Sequence, residues 1–302
     1  MGDKSMKNIT EIRTLAEIIG LPGEATDAAI PVCEEIIKSH AEEYQKIEAD
    51  ISDKEAIKTL AENMKMDCDL VMLAVCLMLG AAARDLYKEK GIPEEIYCSS
   101  MRDITVWTKT CMKMRGHIGL YEYGWIVNFL KADIVRIHRL EFHIITFLHG
   151  KTWSKAGVTL DGGTPKNEGD HVINIHIPED GPLNHDDVIE SYRQAYRYFN
   201  CTGLAPFVCD SWLLFPGNYE FLPEKSNIRK FMDDFEIIES SKRRNCGDLW
   251  RVFGPCGSYD DLSKLPAETG LQRGMIEYLK THDNVTGDGY GIFLFDGEKV
   301  VK

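Results

Sequence analysis

The stretch from His171 to Asn200, HVINIHIPEDGPLNHDDVIESYRQAYRYFN, constrains this chain more than any other. Ile173, Ile175 and Ile177 alternate with Asn174 and His176, the pattern of a half-buried strand carrying a polar stripe. Pro178 removes a backbone donor, and Gly181-Pro182 turns the chain. Asn184 is placed to N-cap a helix, with Asp187 as a variant capping box and Leu183 and Val188 at the staple positions. Val188, Ile189, Tyr192, Ala195, Tyr196 and Phe199 share one face of that helix. A second strand, Ala205–Trp212, follows almost at once. Strand, crossover helix and strand favour parallel pairing, with ligands near the strand C-termini.

The rest of the chain divides by period. From Met6 to about Phe129 the pattern is helical. A short helix holds Ile9, Ile12, Ile18 and Ile19, and a second is expected from Ile30 to Ile47. A third, capped by Asp67, carries Leu70, Leu73, Leu77 and Leu86. Its apolar run, Leu70–Ala83, is too short to cross a bilayer and ends in Arg84-Asp85, so it reads as a buried helix. Pro93 opens a fourth, with Ile96, Met101, Ile104 and Trp107 inward. Ile134–Phe147 then alternates, Leu140, Phe142 and Ile144 against Arg139, Glu141 and His143. Residues 150–169, polar and glycine-rich, are expected to form a long exposed hairpin loop. Ser226 or Asn227 caps a short helix, and Phe235–Ile238 and Asp248–Phe253 are expected to pair as strands across a basic tip, Lys242–Asn245. Thr269 with Gln272 makes a capping box, and Tyr290–Phe295 is a last strand. The fold class is α+β, with a helical domain over residues 1–129 and a mixed α/β domain over residues 130–302.

Charge and cysteine usage narrow the function. A formal charge of −13 supplies no basic face for nucleic acid. The nine cysteines are scattered, with no CxxC pair, and no signal segment opens the chain, which predicts reduced thiols and a cytoplasmic protein away from membranes. No metal site is expected: His138 and His143, like His171 and His176, lack the i, i+2 spacing that aims two imidazoles off one strand face.

Gly124-Trp125, Arg-Leu-Glu-Phe at 139–142, His-Ile-Pro at 176–178, Gly-Pro-Leu at 181–183, Cys209-Asp-Ser-Trp-Leu-Leu and Ser226-Asn-Ile occur here in the order found in bacterial acyltransferase-domain proteins, which the chain resembles over nearly its whole length. The resemblance implies a helical N-terminal domain followed by a GNAT-like domain, and acetyl-CoA or another acyl-CoA as co-substrate. It makes His171–Ile177 the strand whose backbone meets the pantetheine, with Ile175 and Ile177 in contact, and makes Leu183 and Asn184 the entry to the helix that holds the pyrophosphate. Ala205–Trp212 becomes the strand that splays away to open a cleft. The usual phosphate loop is Gln/Arg-x-x-Gly-x-Gly/Ala; here Pro-Glu-Asp-Gly-Pro-Leu offers fewer donors and two acids that repel phosphate.

Several side chains carry chemistry in this arrangement. Glu141 and His176 lie on the polar faces of two strands that a hairpin would make neighbours, and a carboxylate beside an imidazole orients a general base. A cross-strand polar pair is the structural alternative. Arg139 and His143 share the first strand's face and are candidate substrate contacts. Cys209 is a candidate nucleophile beside Ser211, although a cysteine in Phe-Val-Cys also serves as a small core residue. Trp212 is a candidate pocket wall and Asn227 a candidate contact at a helix N-terminus.

Three functions compete. An acyl-CoA-dependent N-acyltransferase would use Glu141, His176 and Cys209 around a small-molecule amine. A non-catalytic small-ligand-binding protein would carry a degenerate GNAT-like domain, a reading the acidic loop favours. A Cys- or Ser-dependent hydrolase would use Cys209 or Ser211.

Overall fold

The computed structural model describes residues 8–147, 171–244, 249–256 and 259–301, and the chain forms two compact units, residues 1–136 and 137–302. The expected hairpin loop at residues 150–169 lies outside the described residues.

The first unit is helical: α1 (Ile9–Ile18), α2 (Gly23–Ser39), α3 (Ala41–Ala49), α4 (Lys54–Met64), α5 (Cys68–Glu89), α6 (Glu94–Arg115) and α7 (Tyr123–Leu130). Its centre is α5. The Asp67 carboxylate accepts from the Leu70 N–H to start it, and Val71 through Ala81 are buried. Helices α1, α2, α4, α6 and α7 all pack on it. By length and composition α5 would span a bilayer, yet 72% of its apolar window is buried inside the protein. The helix expected over Ile30–Ile47 is two helices instead. His40 leaves the helical region (φ −131°, ψ 29°) between α2 and α3, while α2 begins earlier, at Gly23, and carries Pro31 inside it. Helix α4, capped by Asp53, has no counterpart in the sequence reading.

Strand β1 (Val135–Ile137) spans the division at residue 136, and the second unit contains β2 (Leu140–Thr146), β3 (His171–His176), α8 (His185–Tyr198), β4 (Ala205–Ser211), α9 (Asn218–Phe221) and α10 (Asn227–Asp233). It continues with β5 (Glu236–Arg244), α11 (Leu249–Phe253), α12 (Gly270–Thr281), β6 (Val285–Phe295) and β7 (Val300–Val301). The sheet order is β1-β2-β3-β4-β6-β5, with β7 added to β6. Strands β3 and β4 are parallel across the α8 crossover, as the first motif requires; β2–β3, β4–β6 and β5–β6 are antiparallel.

One sheet face is aromatic. Tyr192 of α8 lies 5.7 Å from the Phe207 ring and 4.7 Å from Phe293, and Phe142 meets Phe207 edge-on at 6.2 Å. The opposite face carries an apolar cluster of Phe147, Val172, Val208, Tyr290 and Ile292. The alternation expected over Ile134–Phe147 is interrupted at His138, whose φ of 57° turns β1 into β2. Burial along β2 also departs from expectation: Glu141 is 1% exposed, whereas Ile144 is 51% exposed.

The pairing expected between Phe235–Ile238 and Asp248–Phe253 is corrected. β5 runs on through Lys242-Arg243-Arg244 and pairs with β6 at Gly287, Thr286 and Val285, so the basic triplet is strand, not a turn. A lysine suits that edge position, because charge there blocks further strand addition. Leu249, Val252 and Phe253 form one face of helix α11 and pack with Met275 and Leu279 of α12.

Candidate active site

Antiparallel register between β2 and β3 places Glu141 opposite His176 and His143 opposite Asn174, so all four side chains leave the same face of the sheet. The Asn174 Nδ2 lies 3.0 Å from Nε2 of His143 and 3.0 Å from Nε2 of His176; the two Nε2 atoms are 3.4 Å apart. With the amide donating, each ring keeps its proton on Nδ1. Burial first, then the neighbouring His143, pushes the His176 imidazole down to about 3, so it is neutral across the physiological range. Asn174 is the member of this group that sequence reasoning did not single out. Its signal was available, since it stands two residues before His176 on the same polar stripe.

Parallel pairing of β3 with β4 runs through Ile173–Phe207 and Asn174–Val208, while β3 continues to His176 and β4 to Ser211. Beyond Asn174 and Val208 the two strand ends are not joined to each other, which is the splay the resemblance implies. This register also puts Cys209 on the other face from His176. Cys209 is fully buried, and burial, with Asp210 as a lesser cause, pushes its thiol far up. Its proposed role as a nucleophile in a shared cleft is therefore corrected: it is a core thiol. The Ser211 Oγ accepts from the Leu213 N–H and caps the 3-10 turn Trp212–Leu214. Trp212 packs against the cluster of Leu249, Val252, Phe253, Met275 and Leu279.

The loop from Pro178 to Leu183 is held from beneath by Arg139. Its Nε donates to the Pro182 carbonyl at 3.0 Å, and its Nη2 donates to the carbonyls of Gly181 at 3.1 Å and Pro178 at 3.2 Å. Its Nη1 lies 3.7 Å from the Asp180 carboxylate. Arg139, expected to bind substrate, holds the loop through these contacts. Glu179 is paired as well, with Arg251 of α11 at 3.0 Å, and Arg251 stacks over Trp250 at 4.4 Å. Both acids of the loop thus face a guanidinium, which offsets the repulsion their sequence implied.

Beyond the loop, Leu183 and Val188 are both buried, as a staple requires. Asn184 occupies the N-cap position of α8, but its side chain makes no cap bond; its amide donates to Asp187 at 3.2 Å. The Asn227 amide reaches the Asn184 Oδ1 at 3.4 Å, so the N-termini of α8 and α10 meet here. His185 Nε2 sits 3.0 and 3.1 Å from the two oxygens of Asp234, to which the Tyr192 hydroxyl also donates at 3.4 Å. The hydrogen bond that His185 donates to Asp234 raises the His185 pKa. Ile175 is buried on the aromatic face and Ile177 is half-buried after the strand end.

Among the described residues one group has metal-ligand types close together, Asp69, Cys111 and His117. Arg115 and His117 both engage the same Asp69 oxygen, and burial pushes the Cys111 thiol up to about 11, so the group reads as an ion-pair knot within the helical unit.

Comparison with known proteins gives a consistent picture. Residues 134–293 match the GNAT-like C-terminal domain, and residues 10–132 match the N-acyltransferase N-terminal domain. A mutant acyltransferase solved with octanoyl-CoA is similar over 97% of this chain and 88% of its own, at 20% identity and a TM-score of 0.71. An acyltransferase solved with decanoyl-CoA and teicoplanin is similar over 94% of this chain and 87% of its own, at 21% identity and the same TM-score of 0.71. A further structure, of an acyltransferase with CoA and 10C-teicoplanin, covers 93% of this chain and 86% of its own at 20% identity. No curated protein sequence matches.

Proposed function

The chain belongs to the family that joins an N-acyltransferase N-terminal domain to a GNAT-like C-terminal domain, and from that premise we propose that it transfers an acyl group from acyl-CoA to a small-molecule amine. The observation that carries this reading is the β2–β3 register, which sets Glu141 opposite His176 beside two strand ends that part. The amine nitrogen attacks the thioester carbonyl, the C–N bond forms, the C–S bond breaks and CoA leaves as its thiol. His176, neutral when free, takes the amine proton at Nε2 in exchange for the Asn174 amide contact, and Glu141 on the same face stabilises the imidazolium that forms. His143, 3.4 Å away, is positioned to receive that proton next. The ends of β3 and β4, with Ile175 and Ile177, would flank the pantetheine, and the Pro178–Leu183 loop with the start of α8 would meet the diphosphate. The acyl-CoA complexes of the similar structures support the choice of donor. Free cysteines throughout the described residues accord with a cytoplasmic protein. The arginine partners of Glu179 and Asp180 remove the charge argument for a non-catalytic binder.

Turnover of acetyl-CoA and octanoyl-CoA with a panel of primary amines, followed by release of free CoA thiol, tests the proposal. Glu141→Gln and His176→Gln are expected to lower kcat by about 100-fold while CoA affinity holds. A His176→Gln enzyme as active as wild type, or a wild type that neither binds CoA nor releases thiol, would overturn it.

A further inference from the structure

We infer that Arg139 is a positioning residue that sets which way the peptide groups of the Pro178–Leu183 loop face, and so makes an acidic, proline-bearing loop a diphosphate acceptor. The inference rests on the acyl-CoA reading above. No cis peptide occurs among the described residues, and in a planar trans peptide the N–H points opposite to the C=O before it. Arg139 draws the carbonyls of Pro178, Gly181 and Pro182 to one side, with donor distances of 3.2, 3.1 and 3.0 Å. The N–H groups of Glu179 and Leu183 must then face the other side; Pro182 has none to offer.

Those two donors precede the first turn of α8. There the Val188 N–H already bonds the Asn184 carbonyl, and the N–H groups of His185, Asp186 and Asp187 belong to the helix start. Outward N–H groups at Glu179 and Leu183 thus precede the helix start, in a loop without the usual glycines. Glycine-rich loops reach such an arrangement through backbone freedom. Here one guanidinium imposes it from the carbonyl side.

Arginine is suited to this task because its planar fork places several donors at fixed angles, which lysine cannot reproduce. Arg139 is fixed in turn: its side chain is only 11% exposed, and its own N–H donates to Ser191 Oγ of α8 at 3.0 Å. The same residue also pairs with Asp180, and Arg251 pairs with Glu179, so the loop's carboxylates are drawn to guanidinium partners.

The test compares two ligands of the full-length protein by calorimetry, CoA and pantetheine, which lacks the diphosphate. Arg139→Lys and Arg139→Gln are expected to weaken CoA by about tenfold or more, the loss of charge-assisted contacts, while pantetheine affinity is unchanged. Equal losses for both ligands would mean that Arg139 merely supports the fold, and unchanged CoA affinity would mean that the loop does not meet the diphosphate; either overturns the inference. Wild type that fails to bind CoA overturns this inference and the acyltransferase reading together. Should the variants not fold, amide shifts of the wild type on CoA addition decide the matter. Glu179 and Leu183 must move with the first turn of α8, and if they stay in place the inference fails.

Discussion

Burial decides what the imidazole at position 176 can do. A histidine held neutral down to about pH 3 stores no proton at rest, so in the proposed mechanism its part is confined to the moment when the tetrahedral intermediate sheds one. The kcat/KM profile, which reports the free enzyme, is therefore expected to show no acid limb near pH 6.5 from His176. A limb at that pH that vanishes in His176→Gln would contradict this. Burial also settles Cys209, whose thiol lies in the core on the far side of the sheet. Iodoacetamide should leave Cys209 unmodified in the native protein and label it only after unfolding, as mass spectrometry of its peptide would show; rapid native labelling with loss of activity would restore the hydrolase. These residues show what a sequence exposes and what it hides. The polar stripe of Asn174 and His176 and its neighbour Glu141 were legible as period two. The side of the sheet taken by Cys209 was not, because it depends on the β3–β4 register, which has no local signature.

Two devices act at the scale of elements. Strand β6 carries glycine at 287, 289 and 291, and a Cβ added at Gly289 would stand 2.1 Å from the Leu214 carbonyl oxygen. The 3-10 turn after β4 thus lies directly on the backbone of β6. Gly289→Ala is expected to cost about 3 kcal/mol through overpacking, read as a lowered melting temperature. A variant as stable as wild type would show that the turn can lift away. The second device is the His185–Asp234 pair, which ties the start of α8 to the end of α10. His185 has a raised pKa when folded, so its contribution is complete below the unfolded value of 6.5 and is lost as pH rises through the higher folded value. Asp234→Asn should cost about 1 kcal/mol at pH 6 and less at pH 9, measured by urea unfolding at both. A cost that grows with pH would refute the pairing as drawn. The glycines were visible in the sequence, but Leu214, which needs position 289 bare, is 75 residues earlier in the chain. Helix α11 misled for a related reason. Leu249, Val252 and Phe253 fit a short apolar strand as well as one helical turn, and only their packing on α12 decides.

For the whole molecule, the chain divides into two compact units at residues 136 and 137, seven residues beyond the boundary expected at 129 and 130. The helical unit has a core of its own: α5 is enclosed by α1, α2, α4, α6 and α7, and Leu73, Val75 and Leu77 are fully buried. Tyr87 and Tyr97 are buried within it, donating to the carbonyls of Phe129 at 2.9 Å and Gly80 at 3.0 Å. A helix as apolar as α5 cannot remain in water by itself, so its five helical neighbours must form with it or not at all. Residues 1–136 expressed alone are therefore expected to unfold in one cooperative thermal step with a helical circular dichroism spectrum. A broad, non-cooperative melt, or an insoluble product that only detergent disperses, would show that this unit's core is not self-sufficient. If the fragment folds, calorimetry on it with CoA makes a second use of the same material. The loop, the paired histidines and the parting strand ends all belong to residues 137–302, so the helical fragment should take up no CoA. Binding by that fragment at the affinity of the full chain would move the donor site out of the GNAT-like unit.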